Sequence, residues 1–301
     1  MLIRVFLPFV LLATTLECPA QRHPQPNKPT AKAAVSQVAA LSAPPYVAAG
    51  DITTTGSGPN QVPTLTALTV PQEADLLADL AKLPAFPAYP YSGCDDRAHA
   101  LYLLLPKWQP YLAKVWIFSG AVLSPAFADG IHYAPAGAAP TSWDYHVAVA
   151  YRQSAGEQLM VLDLALAPAP RPLPVQQWLA KFQIPPASVW TLLPGSLYSF
   201  NKTESCNYAK GRQFFNGNLF AYEGPAKANN RIPTNLARDA AGALALKQND
   251  CPAVGALVKQ PGDLLAFLQK AAADNSGNAV CQAYVAVYRQ ALAEWTKRLA
   301  P

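Results

Sequence analysis

The chain has 301 residues, of which 51% are hydrophobic and 14% are charged, so it can bury a sizeable core in one or two domains. Its net charge of +5 is spread along the chain without a lysine or arginine run, a pattern that does not indicate a nucleic-acid partner. It contains no Cys-x-x-Cys pair and no histidine pair at metal-ligand spacing, so we expect neither a zinc site nor another cofactor.

Residues 1–20 have the features of a secretory signal peptide. Arg4 precedes an apolar stretch, Val5–Leu16, and small residues offer a cleavage site near Ala20. The apolar stretch is too short to span a bilayer as a helix, and no later segment qualifies. We therefore expect a secreted or periplasmic protein without stable membrane association once the signal peptide is removed.

Residues 21–70 are predicted to form a proline-rich linker or a short pro-segment. Tyr46 is the one aromatic residue of this segment, whereas all six tryptophans lie at or beyond Trp108. A segment with so little apolar surface does not fold alone.

The remaining chain is predicted to form a folded domain over residues 71–232 and a helical C-terminal extension over residues 233–301. Hydrophobic periodicity, with proline as punctuation, predicts two helices, then three strands, then three helices. The predicted helices are Gln72–Lys82, Cys94–Leu105, Leu236–Lys247, Asp263–Ala273 and Ala279–Leu299. The predicted strands are Lys114–Ser119, Tyr145–Tyr151 and Gln158–Leu164, with a loop at 120–140 and irregular structure at 197–222.

Cys94 stands at the point where a turn leads into a helical pattern. Backbone N–H groups and the positive end of the helix dipole converge at such a position and favour a thiolate. A cysteine there is also commonly a packing residue or half of a disulfide. If Cys94 is a free thiol, the three cysteines that remain after the signal peptide are Cys206, Cys251 and Cys281, which can form at most one disulfide. Cys251–Cys281 is our first choice for that disulfide.

His146 and Asp163 lie on two predicted strands joined by the turn signal Ser154–Glu157. With a two-residue loop in that turn, Asp163 faces Ala148, which shares a strand face with His146. Asp163 is then a diagonal neighbour of His146, within reach of a carboxylate–imidazole hydrogen bond. We further expect the small-residue face of His146 to leave room for the N-terminus of the Cys94 helix.

Other titratable residues are assigned lesser roles. His99 lies about 140° round the helix from Cys94 and points away from it. His132 lies in the predicted loop and is a candidate for substrate contact. Asp95 and Asp96 provide favourable charge in the first helical turn, and Arg97 is a candidate for a structural ion pair.

The chain resembles the bacterial secreted protein-glutamine glutaminases, with motifs in matching order and spacing. The matching motifs are Tyr-Pro-x-x-Gly-Cys-x-x-Arg-Ala-His at Tyr89–His99, Lys-Val-x-x-x-x-Gly at Lys114–Gly120, Trp-x-Tyr-His-Val-Ala at Trp143–Ala148, the strand of Asp163, and a helix near Trp178. The resemblance covers about residues 70–210. The chain departs from the family pattern after Asp163, where Leu164-Ala165-Leu166 replaces Asp-Pro-Ser.

This resemblance implies an α+β, transglutaminase-like and papain-related core. It also implies Cys94 as nucleophile, His146 as general base and acid, and Asp163 as the residue that orients His146. The implied reaction is hydrolytic deamidation of exposed glutamine side chains in a protein or peptide. Trp143 and Tyr145 are candidates for lining the entry of that side chain.

Three alternatives stay open at the level of sequence. A cysteine peptidase or a transglutaminase would use the same core. A non-enzymatic secreted interaction protein would hold Cys94 in a disulfide. An effector delivered into another cell would use the same deamidation chemistry on one target. The sequence leaves the oligomeric state undetermined.

Overall fold

A five-stranded antiparallel sheet lies at the centre of the computed structural model, which describes residues 63–119, 130–134, 140–166, 171–185, 188–198, 225–247 and 279–300. The helices are α1 (Val70–Leu80), α2 (Cys94–Leu103), α3 (Val175–Leu179), α4 (Pro225–Lys247) and α5 (Ala279–Arg298), with 3₁₀ turns at Pro106–Tyr111 and Ala155–Glu157. The strands are β1 (Leu112–Phe118), β2 (Ile131–Tyr133), β3 (Thr141–Trp143), β4 (Tyr145–Arg152), β5 (Leu159–Leu162), β6 (Leu173–Pro174) and β7 (Val189–Pro194). The strand order in the sheet is β6-β5-β4-β1-β7, and β2 and β3 form a separate hairpin. The α+β class predicted from the sequence is confirmed.

Helix α1 begins at Val70, two residues before the predicted start at Gln72, and ends at Leu80. Thr69 and Gln72 form a reciprocal capping box, and Pro71 occupies the first turn, where its missing N–H costs nothing. Glu73 on this helix is buried and accepts hydrogen bonds from Tyr151 Oη and Gln153 Nε2, each at 2.6 Å. These bonds hold α1 against β4.

The two faces of the sheet carry different helices. On the α2 face, helix α2 packs against the larger residues of β4: Val147, Val149 and Tyr151. On the α3 face, Ala148 and Ala150 lie against Trp178 and Phe182 from α3 and the turn that follows it. The expectation that α2 approaches the face of His146, Ala148 and Ala150 is therefore wrong.

This correction has a physical reason in side-chain volume. Helix α2 presents the small residue Ala98 beside Leu101, and both pack well against the branched and aromatic side chains of the α2 face. The alanines of β4 leave a recess that bulky indole and phenyl rings fill on the other side. Both arrangements reach the close packing of a protein interior.

The C-terminal helices belong to the same core as the sheet. Helix α4 packs against both α5 and α2, and the ring of Trp295 in α5 lies tilted against Phe86 at 4.8 Å between ring centroids. Helix α4 begins at Pro225 and not at Leu236, so it crosses the predicted domain boundary at 232/233. Helix α5 matches the predicted helix at Ala279–Leu299 within one residue.

Other predictions meet the structure in part. Strand β2 lies inside the predicted loop 120–140, and β6 and β7 have no counterpart among the predicted strands. The signal peptide, nearly all of the linker and the helix predicted at Asp263–Ala273 lie outside the described residues, as do Cys206 and Cys251. Among the helices that the structure describes, none has the length and apolar character needed to cross a membrane.

Candidate active site

The register of β4 and β5 is the one predicted from the sequence. Val149 pairs with Leu162 and Ala150 with Val161, so Asp163, directly after β5, lies opposite Ala148. The turn itself differs from the prediction, because the loop spans four residues, 154–157, and closes with a Gln153 N–H to Gln158 oxygen bond of 2.8 Å. The longer loop preserves the register because it adds one residue on each side of the predicted turn.

His146 and Asp163 form a buried hydrogen-bonded pair. Nε2 of His146 lies 2.7 Å from Oδ2 of Asp163, and both side chains are almost inaccessible to solvent. Trp178 Nε1 donates to the same oxygen at 2.7 Å, and the N–H of Ala165 donates to Oδ1 at 2.8 Å. Burial raises the pKa of the Asp163 carboxyl, but the charge and hydrogen bond of His146, with the two further donors, hold it below its usual value. Asp163 is thus maintained as a carboxylate.

Aromatic rings surround the imidazole of His146. Trp143 stacks on it at 4.6 Å between centroids, and Trp178 and Phe182 lie at 5.8 and 5.1 Å. Nδ1 of His146 is buried and makes no hydrogen bond with any residue that the structure describes. The ring is therefore fixed in orientation by stacking and by Asp163, with its second nitrogen left for other chemistry.

Cys94 is the first residue of helix α2 and a free thiol. Gly93 before it has φ of 71°, in the left-handed region that favours glycine, and no side chain caps the helix. The backbone N–H of Val147 hydrogen-bonds to the sulfur, but burial dominates and raises the pKa of the thiol. The charge of Asp95 raises this pKa further and that of Arg97 lowers it, so the structure does not support the thiolate expected from the helix terminus.

Cys94 and Asp163 line the same narrow cleft, although they come from opposite faces of the sheet. Strand β5 pairs with β4 only as far as Val149. The N–H of Val147, which points towards the β5 side of β4, therefore has no backbone partner in β5. The cysteine sulfur reaches β4 in this gap. The cleft is lined by Cys94, Arg97, Ala98, Val147, Ala148, Leu162, Asp163, Leu164 and Ala165.

The remaining predicted residues have structural contacts. Trp143 is buried and donates from Nε1 to the Pro90 oxygen at 3.0 Å, and Tyr145 Oη donates to Asp95 Oδ2 at 3.2 Å. Neither borders the cleft, and their role as substrate-lining residues stays a prediction.

The two other histidines that the structure describes, His99 and His132, have partners elsewhere in the fold. His99 is buried with Nδ1 at 2.7 Å from Lys114 Nζ, and burial, with the Lys114 charge, lowers the pKa of His99 to about 2. His132 is exposed on β2, where its backbone pairs with Gln183.

Sequence reasoning missed the polar contacts between α2 and the C-terminal part. Arg97 forms the predicted ion pair, and its partner is Asp239 of α4 at 2.6 Å. Asp96 is buried and accepts hydrogen bonds from Tyr198 Oη and from Asn235 Nδ2 of α4. No local pattern could have identified these partners, which lie more than a hundred positions along the chain. Within the described residues there is no group of three His, Cys, Asp or Glu arranged to hold a metal ion.

The arrangement defines a class of protein: an α+β protein with a cysteine at a helix N-terminus beside a buried histidine–carboxylate pair. Residues 78–182 match the family model described as glutaminase. Over this segment the chain is similar to the glutaminase family, in agreement with the resemblance carried by its motifs. The family match supports an amidohydrolase that acts on glutamine.

Solved structures of protein-glutaminases are similar to the chain at low identity. A crystal structure of protein-glutaminase shares 15% identity, with a TM-score of 0.39, over 58% of this chain and 89% of the other. The NMR structure of protein-glutaminase from Chryseobacterium proteolyticum shares 14% identity, with a TM-score of 0.39, over 57% and 89%. A crystal structure of pro-protein-glutaminase shares 15% identity, with a TM-score of 0.40, over 61% and 63%. No curated protein sequence matches the chain.

Proposed function

We propose that the protein hydrolyses the side-chain amide of glutamine in proteins or peptides, with Cys94 as nucleophile, His146 as general base and acid, and Asp163 as the residue that orients His146. The observation that carries this proposal is the buried His146–Asp163 pair at 2.7 Å, whose carboxylate borders the same cleft as the free thiol of Cys94. All three residues lie in the segment that matches the glutaminase family.

The reaction would proceed in two stages. In the first, the Cys94 sulfur attacks the amide carbon while its proton passes to His146. The C–N bond then breaks, and His146 returns the proton to the departing ammonia, leaving a thioester. In the second, His146 takes a proton from water as the water oxygen attacks the thioester carbon. The C–S bond breaks, the thiol regains its proton, and glutamate is released.

The state of each group suits this sequence of steps. Because burial raises the pKa of the Cys94 thiol, proton transfer to a nearby base must accompany its attack. Asp163 holds Nε2 of His146, so Nδ1 is the nitrogen available to exchange the proton. The ionised Asp163 would stabilise the imidazolium that forms. The N–H of Cys94, in the first turn of α2, is the proposed oxyanion donor.

The substrate and location follow as part of the proposal. A protein or peptide with an exposed glutamine is the substrate class, and the signal peptide predicted at residues 1–20 would direct the enzyme out of the cytoplasm. The rival reading of Cys94 as a disulfide partner is disfavoured because the thiol is free in the structure.

The test is ammonia release from a casein substrate, with free glutamine in parallel, by the chain lacking residues 1–20. We expect release from the protein substrate and its loss in Cys94→Ala, with the thermal unfolding of the variant close to that of the parent. Intact-mass analysis of the treated casein separates the rivals, since a peptidase shortens the chains and a transglutaminase joins them. Full activity in folded Cys94→Ala would refute the proposal.

A further inference from the structure

Asp239 on α4 is fully buried, and its carboxylate contacts the turn from which helix α2 begins. Ser92 Oγ donates to Oδ1 at 2.9 Å, and Arg97 Nη1 donates to Oδ2 at 2.6 Å. One carboxylate therefore joins a residue two positions before Cys94 to a residue three positions after it.

Gly93 makes this approach possible. A Cβ atom at Gly93 would lie 2.2 Å from Asp239 Oδ2, so the carboxylate occupies the space that a side chain would take. The oxygen of Gly93 accepts the first helical hydrogen bond, from the Arg97 N–H at 2.9 Å. The left-handed turn, the first bond of α2 and the Asp239 carboxylate thus form one packed unit around Cys94.

The ion pair of Asp239 and Arg97 requires one particular geometry because both groups are buried. Their side chains are 0% and 2% exposed, so both groups are shielded from solvent. The loss of hydration is offset only when the two groups meet in good geometry, so the pair fixes how α4 docks on α2. Asp239 lies outside the segment that matches the glutaminase family.

We propose that Asp239 is a positioning residue for Cys94: through Ser92 and Arg97 it fixes the turn that sets the place of the Cys94 sulfur and backbone N–H. The C-terminal helices are then a working part of the enzyme. This inference rests on the proposed function in treating Cys94 as the nucleophile. Because the turn places reacting atoms, its disturbance lowers kcat and leaves KM nearly unchanged.

The first test compares Asp239→Asn with Glu73→Gln in the full mature chain. Both variants convert a buried carboxylate with two hydrogen-bond partners to the matching amide, but Glu73 holds α1 against β4 and lies apart from the cleft. For Asp239→Asn we expect kcat to fall by about 10²-fold, the loss that a displacement of about 1 Å produces, at nearly constant KM. For Glu73→Gln we expect lower stability and an unchanged kcat.

The second test needs no substrate. Hydrogen exchange followed by mass spectrometry should show faster exchange in the peptide that contains residues 93–98 of Asp239→Asn, while Glu73→Gln leaves that peptide unchanged. Unchanged exchange in Asp239→Asn, an unchanged kcat, or an equal fall in kcat for Glu73→Gln would each overturn the positioning role.

Two further outcomes are covered by this design. If Asp239→Asn does not fold, Ser92→Ala removes one of the two bonds and keeps the ion pair, and we expect a smaller fall in kcat in the same direction. If the parent chain releases no ammonia, the proposed function fails, and the exchange experiment alone decides whether Asp239 fixes the turn.

Discussion

The two faces of the central sheet hold the proposed catalytic groups by different means. On the α3 face, His146 is enclosed by aromatic rings, and one carboxylate, Asp163, meets it. On the α2 face, the helix that carries Cys94 is fastened by buried polar bonds to distant parts of the chain, with Asp96 and Arg97 as its main contacts.

The difference corresponds to the task of each group. An imidazole that gives and takes protons needs a fixed orientation and one partner that stabilises its charged form, which stacking and a carboxylate provide. A thiol on a helix needs its whole backbone turn in place, because sulfur and N–H act together. Polar bonds with strict geometry meet that need better than apolar packing, which tolerates small shifts.

Substitution of the carboxylate on the α3 face should therefore lower kcat more than substitution of a carboxylate on the α2 face. Asp163→Asn keeps the size of the side chain but allows its amide to donate to His146, which favours the wrong tautomer. We expect kcat to fall on the order of 10⁴-fold, as in triads that lose this carboxylate. Steady-state ammonia release at saturating substrate measures the change.

If Asp163→Asn retains most of the parent activity, the proposed role of Asp163 on the α3 face is wrong. Glu73→Gln is the matched control, since it makes the same chemical change in a buried carboxylate that faces Tyr151 and Gln153. A similar loss in both variants would point to general destabilisation of the core and not to the His146 pair.

Trp178 should have a smaller effect on the same face. Trp178→Phe keeps an aromatic ring near His146 but removes the Nε1 donor to Asp163. A hydrogen bond to an ionised group contributes about 1.5–3 kcal/mol, so we expect a loss of stability of that order by urea denaturation. A fall in kcat of about tenfold should accompany it, because Asp163 is less firmly held.

Trp190→Phe provides the comparison for Trp178→Phe. Trp190 is buried on the same face and loses the same indole volume, but its Nε1 donates to no residue that the structure describes. We expect this variant to keep the parent kcat. An equal fall in kcat for the two variants would assign the effect to packing volume.

The sequence predicts the α3 face better than the α2 face. The register that places Asp163 beside His146 follows from the position of the turn, because a loop centred between Ala155 and Gly156 pairs Asp163 with Ala148 whether it has two residues or four. The four-residue turn was not predicted, yet the pairing remained the same. Trp178 was known only as part of a motif, and its bond to Asp163 depends on how α3 crosses the sheet.

The α2 face illustrates what local patterns do not contain. Both faces of β4 are apolar, so periodicity cannot say which one receives α2, and the choice depends on matching volumes between helix and sheet. Asp239 and Asn235 are ordinary polar residues on a helical pattern. Their contacts with Arg97 and Asp96 arise from tertiary docking over a long stretch of chain.

The smallest predicted effect is a change in how the stability of the protein depends on pH, and it arises from Asp96 on the α2 face. Burial, followed by the charge of Asp95, raises the pKa of Asp96, so the native carboxyl keeps its proton at a pH where the unfolded chain has lost it. The native state then binds more protons, and the free energy of unfolding decreases as the pH rises above the ordinary aspartate pKa of 3.8 towards neutrality. Asp96→Asn removes this term.

Urea denaturation of Asp96→Asn and the parent chain across that pH range should therefore show a shallower decrease in the variant. Asp163 contributes with the opposite sign, since its pKa is lowered, but it is present in both chains and cancels in the difference. We expect kcat to stay close to the parent value, because the amide of the variant can still accept from Tyr198 Oη and the bonds of Asp239 to Ser92 and Arg97, which hold the turn before Cys94, are unchanged. If the free energies of unfolding of the two chains change with pH in parallel, Asp96 does not bind a proton in the native state. A large loss of kcat in Asp96→Asn would show that Asp96, like Asp239, is a positioning residue for Cys94.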